Sequence, residues 1–183
     1  MVLNALSVDE RGRTSPTLLT RHVSRYLSHP SSLRLRALLY GVWTPWSRMV
    51  SRSLVTAGGL RFDETPVGND AMFVLRASSL ARRVEVESSV CYHYYQPLEG
   101  SQTWAQYKPE TFLVRLELRL RVNQFYRSVG YPFLWPLRRM MRQARLLGLS
   151  AEAARLLRRY RHTILTELRS SLSQLAGKML GYL

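Results

Sequence analysis

The side chains in this sequence best suited to chemistry are three carboxylates that lie close together along the chain. Asp63 and Glu64 begin a short polar stretch, and Asp70 ends it directly before an apolar segment that starts at Ala71. A carboxylate within hydrogen-bond reach of a hydroxyl group can accept its proton and make the oxygen a better nucleophile. The structural alternative is that Asp70 caps a helix, a role that aspartate often fills. Both interpretations place Asp70 at the first turn of a helix, where the helix dipole favours the ionised carboxylate. For a general base, we also expect the carboxylate to face a cleft that receives residues of the 99–104 loop.

Other catalytic patterns are missing from the sequence. It contains no glycine-rich phosphate loop, no nucleophile elbow and no histidine pair at metal-ligand spacing. The four histidines are scattered, and each is better explained as a structural or surface residue. Cys91 is the only cysteine, so neither an intramolecular disulfide nor a thiolate metal cluster can form. No residue of the sequence is therefore identified as a metal ligand, and no cofactor can be assigned to it.

Charge is the strongest compositional signal. The chain has 27 basic residues against 12 acidic ones, a formal net charge of +15, and only Lys108 and Lys178 are lysines. This balance favours anionic partners, which include nucleic acid, a phospholipid surface and a phosphate-bearing substrate. Arginine favours forked contacts with phosphate. No helix-turn-helix, zinc-finger or RNA-binding motif accompanies the charge, so nucleic acid is the least favoured of these partners.

The elements that must position these residues follow from the spacing of apolar and turn-forming residues. Hydrophobic residues make up 46% of the chain, which is enough for a folded core. We expect five aromatic side chains to be largely buried, namely Trp43, Trp46, Phe62, Phe73 and Tyr92. The predicted elements are a strand at 1–6, a turn at 9–12, helices at 17–27 and 33–40, a helix ended by the glycines at 58 and 59, a short strand at 60–62, a helix at 71–81, a two-strand element within 82–95 whose alternating pattern is broken at 87–89, a long helix at 109–129 ended by Gly130, and further helices within 133–183 broken near 148–150 and 161–162. The long helix is amphipathic, with Phe112, Leu116, Leu120 and Asn123 in one stripe and arginines elsewhere on its surface.

An ordered set of motifs gives these elements a family context. The chain contains, in order, Trp43-x-x-Trp46-x-Arg48, Gly59-Leu-Arg-Phe62-Asp-Glu64, Gly68-Asn-Asp70-Ala-Met-Phe73, Val90-Cys-Tyr92-His-Tyr94 and Gly100-Ser101-Gln-Thr103. This order resembles the second half of bacterial family-two glycosyltransferases, which are inverting enzymes of the GT-A fold. The resemblance implies a predominantly helical α/β remnant. Residues 1–108 would form a partial GT-A-like domain with few short strands, and residues 109–183 would form basic amphipathic helices at the C-terminal end.

The resemblance also implies roles for individual residues. In the family, the acid at the position of Asp70 is the general base of a single displacement that inverts the anomeric carbon. Arg48 stands where the family often has lysine and would face phosphate. Asn69 stands where many relatives have glutamate. The acceptor-binding set implied by the resemblance is Asp63, Glu64, Asn69, Ser101, Thr103 and Trp104.

The sequence departs from the family in one important respect. The first half of these enzymes is a nucleotide-binding sheet that ends in a D-x-D motif, whose aspartates hold a divalent metal, Mg or Mn, on the donor diphosphate. No D-x-D occurs in this chain, and the segment before Trp43 is too short for several strand–helix units. We therefore expect an acceptor-side fragment that is inactive alone. The donor half would be lost through truncation or a wrongly assigned start, or would belong to another polypeptide.

The resulting functional hypothesis is the transfer of a sugar from a nucleotide-sugar donor to a glycan or a lipid-linked acceptor. The competing hypothesis is a small basic protein without catalysis that binds nucleic acid or a membrane surface. The N-terminal stretch is unlike a signal peptide, and no apolar run is long enough to span a membrane. We expect a cytoplasmic protein, and we also expect residues 133–183 to attach it peripherally to the anionic inner face of the membrane.

Overall fold

The computed structural model describes residues 1–95 and 109–160, and these belong to two compact units, Met1–Ala105 and Gln106–Leu183. The division lies close to the one expected after residue 108. The described residues form a mixed α/β structure that is mostly helical, as expected for the coarse fold class. Its elements are β1 (Val2–Val8), β2 (Thr14–Pro16), α1 (Leu18–Ser28), α2 (Ser32–Gly41), a 3₁₀ turn (Pro45–Ser47), α3 (Arg52–Ala57), α4 (Ala71–Leu80), β3 (Val86–Tyr95), a second 3₁₀ turn (Pro109–Thr111), α5 (Phe112–Ser128), α6 (Arg138–Leu146) and α7 (Ser150–Arg159).

The first unit contains a three-stranded sheet with the strand order β2-β1-β3. β1 and β2 are antiparallel and are joined by a tight turn. In this turn the N–H of Gly12 donates to the carbonyl of Asp9 at 3.0 Å, and the N–H of Asp9 donates to the carbonyl of Arg13 at 3.0 Å. Gly12 has a φ of 75°, a conformation that favours glycine. The predicted first strand and the turn at 9–12 are confirmed.

β3 is one continuous strand, so the two-strand element predicted within 82–95 is wrong. It lies parallel to β1, where Val2 pairs with Val86 and Asn4 pairs with Val90. One residue of β1 between these pairs therefore faces three residues of β3. The residues between Val86 and Val90 therefore bulge out of register. The break in the alternating pattern that suggested a turn marks this bulge.

The first three helices begin at hydroxyl side chains, as helix-start chemistry predicts. The hydroxyls of Thr17, Ser31 and Ser51 accept hydrogen bonds from backbone N–H groups three residues further on, at 3.1, 3.2 and 3.3 Å. The predicted helices at 17–27, 33–40 and 71–81 are confirmed, with ends shifted by a residue or so. The core between α1 and α2 contains Leu19, Val23 and Leu38, each at most 1% exposed.

The short strand predicted at 60–62 is wrong, because this segment joins no sheet. The N–H of Leu60 instead donates to the carbonyl of Val55 at 3.0 Å, which continues the end of α3. Gly58 and Gly59 form this end, and Gly59 has a φ of 56°. The predicted role of the two glycines as a helix stop is confirmed.

The second unit is organised by α5. The predicted apolar stripe is fully buried, with Phe112, Leu116, Leu120 and Asn123 all at 0% exposure. Three residues further along the chain complete this core, namely Leu137, Ala144 and Ala153. The predicted breaks at Gly130 and Gly148 are confirmed, with φ values of 61° and 71°. The break predicted at 161–162 lies outside the described residues. No helix within residues 1–95 and 109–160 is long and apolar enough to cross a membrane.

Candidate functional site

The loop from Asp63 to Asp70 folds so that its two ends meet. The N–H of Asp63 donates to the carbonyl of Asn69 at 2.9 Å, and the N–H of Ala71 donates to the carbonyl of Gly68 at 3.3 Å. Gly68 has a φ of 65°, which allows the chain to reverse there. The loop therefore places two of the predicted acceptor-binding residues, Asp63 and Asn69, next to Asp70 at the start of α4.

Asp70 occupies the N-cap position of α4, as both sequence interpretations predicted. Its backbone carbonyl accepts from the N–H of Val74 at 3.0 Å, but within the described structure its side chain makes no capping hydrogen bond. The carboxyl group is thus not used as a conventional helix cap, although the residue stands where one would be.

The surroundings of the Asp70 carboxyl change its acidity. Burial raises its pKa above the ordinary value of 3.8, and hydrogen bonds from the backbone N–H groups of Asp70 and Ala71 oppose this with a smaller effect. From the helix dipole alone, the expectation was stabilisation of the ionised form. Desolvation instead has the larger effect, so the carboxylate holds a proton more tightly, which is useful in a group that accepts one.

The other predicted acceptor-binding residues differ in exposure and in what the structure describes. Asp63 is half-buried, whereas Glu64 and Asn69 are exposed. Their positions on one loop bring them within the neighbourhood of Asp70. Ser101, Thr103 and Trp104 lie outside the described residues, and so does the 99–104 loop that was expected to complete a cleft with Asp70.

Two of the five aromatic side chains that were expected to be largely buried are exposed. Phe62 stacks on Phe73 with ring centroids 4.4 Å apart, directly before the loop and in the first turn of α4. Trp46 stacks on Tyr92 at 4.5 Å. The prediction of largely buried rings is wrong for Phe62 and Tyr92, which are 48% and 39% exposed, whereas the greater part of Trp43, Trp46 and Phe73 is buried. Each of the two exposed rings is stacked on a less exposed one.

A small apolar cavity of about 280 Å³ lies behind the Phe62–Phe73 stack. Its wall includes Pro45, Val55 and Val74, together with part of Arg48. Its volume is at the lower limit of ordinary ligand pockets, which begin at roughly 300 Å³. No sequence signal could have indicated this cavity, because its walls come from segments that are far apart in the chain.

Arg48, which was expected to face phosphate, lies against the end of α2. Its Nη2 donates to the carbonyls of Val42 at 2.6 Å, Leu39 at 3.3 Å and Leu38 at 3.4 Å, and its Nη1 donates to the Ser78 hydroxyl at 3.3 Å. Burial lowers the pKa of Arg48 to about 10. The guanidinium thus satisfies carbonyl groups that the last turn of a helix leaves unpaired. Contact with phosphate stays a prediction.

The carboxylates of the loop do not fit a divalent metal ion. Within residues 1–95 and 109–160, no three His, Cys, Asp or Glu side chains lie close enough together to hold one. A metal on the donor diphosphate, which the family resemblance implies, has no assigned ligand here.

Comparisons with known proteins add no relative to this description. No protein-family model matches the sequence, and the searches of curated proteins and of solved structures found no match.

Proposed function

We propose that the first unit is the acceptor-side part of a family-two glycosyltransferase, with Asp70 as the general base. The main support comes from the Asp70 carboxyl. It makes no capping hydrogen bond in the described structure, and burial raises its pKa. A purely structural cap would accept from the N–H of the second or third helical residue. The carboxyl instead accepts from the N–H groups of Asp70 and Ala71, and its remaining lone pairs are available to an acceptor hydroxyl.

In the proposed reaction, the hydroxyl oxygen of the acceptor attacks the anomeric carbon of the donor sugar. The bond from that carbon to the diphosphate breaks on the opposite face, so the configuration inverts, and the hydroxyl proton passes to Asp70. Asp63, Glu64 and Asn69 orient the acceptor through its other hydroxyl groups. The exposed Phe62–Phe73 stack next to them offers an apolar surface to the same molecule.

Donor binding is assigned to no described residue. We propose that the sugar nucleotide is bound by a nucleotide-binding part that is not encoded in this sequence, and that the assembled enzyme acts in the cytoplasm on a glycan or lipid-linked acceptor. The purified chain alone should then transfer no measurable sugar, because charge stabilisation of the leaving diphosphate is missing. Robust sugar transfer by the purified 183-residue chain would contradict the proposal that donor binding requires a separate nucleotide-binding part.

The test of Asp70 needs a complete enzyme, obtained by joining this chain to the donor-binding half of an intact relative. Asp70→Asn should lower the rate of transfer by about 100-fold or more, the usual scale for a lost general base, while donor affinity stays the same. Glu10→Gln, a carboxylate-to-amide change in an exposed turn, is the matched control and should retain full activity. Near-normal turnover by Asp70→Asn would show that Asp70 has only a structural role.

A further inference from the structure

A row of arginines lies on the outward face of α6. Arg138, Arg142 and Arg145 are all exposed, and their spacing along the helix places them on one side of it. The opposite side of α6 is fixed in the core, where Ala144 is 0% and Leu137 is 7% exposed. Because packing fixes the orientation of α6, the three side chains of this α6 arginine row project outward together.

The α6 arginine row is not neutralised by neighbouring acids. Within residues 1–95 and 109–160, none of its three members forms an ion pair. Two acids of the second unit instead pair with arginines of α7, Glu152 with Arg155 at 3.0 Å and Glu117 with Arg159 at 3.4 Å. α6 also has no acidic residue in its first turn, where the positive end of the helix dipole adds to the charge of Arg138. α6 is therefore a helix with exposed arginines and no acidic residue, and its outward face is strongly positive.

An exposed leucine adjoins the row and helps to identify its partner. Leu146 is 79% exposed, the most exposed large apolar side chain among residues 1–95 and 109–160. It follows Arg145 directly and lies one turn after Arg142, so it shares their side of the helix. Such a side chain gains nothing from contact with a sugar–phosphate backbone, whereas it can enter the apolar boundary of a bilayer. The combination favours lipid over nucleic acid.

We propose that the α6 arginine row binds the headgroup phosphates of an anionic phospholipid surface, with Leu146 inserted between the lipids. Arginine suits this contact because its planar fork donates two hydrogen bonds to one phosphate. The contact narrows the membrane attachment expected for residues 133–183 to one helix face. It does not depend on sugar transfer by the first unit, so each proposal can fail without the other.

The test uses the full chain and measures its co-sedimentation with vesicles of phosphatidylcholine alone or mixed with phosphatidylglycerol. Each arginine near such a surface contributes about a fivefold gain in affinity, so replacing all three residues of the row with glutamine should weaken binding to the mixed vesicles by roughly 100-fold. Added salt should release the wild-type chain, because it screens exposed charges. Leu146→Ser should also weaken binding, with the salt dependence unchanged.

The matched control removes the same net charge from the first unit. Arg21, Arg52 and Arg76 are exposed, and their triple replacement by glutamine should leave binding close to that of the wild type. Equal losses in the two triple variants would overturn the proposal, because overall charge would then explain the binding. Equal recovery with neutral and mixed vesicles would also overturn it. Binding of a short DNA duplex through the row, without binding to the mixed vesicles, would assign the row to nucleic acid instead.

Discussion

Replacing Arg48 with methionine tests whether its buried guanidinium holds the first unit together. The Nη2 bond to the carbonyl of Val42 is short at 2.6 Å, while the bonds to Leu39, Leu38 and Ser78 measure 3.3 to 3.4 Å. A hydrogen bond that involves a charged group contributes about 1.5–3 kcal/mol when its geometry is good, and we assign about 0.5 kcal/mol to each of the three long ones. The four bonds together stabilise the fold by roughly 3–4 kcal/mol.

Two further effects of the substitution oppose each other. Burial lowers the pKa of Arg48 to about 10, which corresponds to a desolvation cost of roughly 3 kcal/mol that methionine would relieve. The carbonyls of Leu38 and Val42 would in turn lose this donor, at a cost of about 1–2 kcal/mol each, while the carbonyl of Leu39 keeps a hydrogen bond from the Ser78 hydroxyl at 3.4 Å. These two effects nearly cancel, so we expect Arg48→Met to lower the free energy of unfolding by about 3 kcal/mol, the contribution of the lost hydrogen bonds.

Urea unfolding followed by circular dichroism measures this change. For a slope of about 1–3 kcal/mol per molar urea, the midpoint should fall by roughly 1–3 M. Arg52→Met, at an exposed position of α3, is the control and should change stability by no more than about 0.5 kcal/mol. An equally small effect of Arg48→Met would refute the structural role. If that variant were stable and the complete enzyme lost affinity for the donor diphosphate, the phosphate-facing role would be supported instead.

Three further changes test other parts of the structure. Asn123→Ala should destabilise the protein by about 2–3 kcal/mol in urea unfolding, because it removes two hydrogen bonds between the buried Asn123 amide and the backbone of Trp135, which measure 2.7 and 2.9 Å. Its exposed neighbour Gln124→Ala is the control, and equal midpoints for the two variants would refute the prediction. Asp70→Asn should be at least as stable as the wild type at neutral pH. Because the folded-state pKa of Asp70 is raised, the wild-type protein loses stability as the pH rises above 3.8 and this carboxyl ionises. A variant whose stability falls further below that of the wild type as the pH rises would contradict this. Asp9 has a lowered pKa, mainly through the backbone N–H of Arg13, so its stabilisation is lost as the pH falls below 3.8. Asp9→Asn should therefore flatten the acid limb of a plot of unfolding midpoint against pH, and an unchanged limb would count against the turn contacts.

Local patterns in the sequence predicted those elements whose stability depends mainly on near neighbours. The stripe through Phe112, Leu116 and Leu120 was correctly assigned to the core, because a helix repeats every 3.6 residues and one face must be buried. Gly130 and Gly148 were correctly identified as helix ends, since both positions need a positive φ. These predictions required no knowledge of which segments meet in the fold.

Features that depend on distant segments could not be predicted in this way. In β3, a break in the alternation is the same sequence signal for a turn and for a bulge, and only pairing with β1 distinguishes them. The family resemblance suggested that Arg48 faces phosphate, but the contacts of its guanidinium are set by the end of α2 and by Ser78 of α4. The predicted position of Asp70 was correct, whereas the sign of its pKa shift depends on how many neighbours exclude water from the carboxyl.

The sheet of the first unit gives an independent physical reason to expect a further layer of protein around it. β1 and β3 are parallel, and parallel strands in α/β proteins are normally covered on both faces. Yet most positions of β3 are exposed, including Val90 at 42% and Tyr95 at 70%. β3 is also the last strand of the described sheet, and a long uncovered edge strand is a liability in a soluble protein. Both features are explained if the proposed donor-binding part extends the same sheet and covers β3, because a nucleotide-binding sheet supplies both strands and helices.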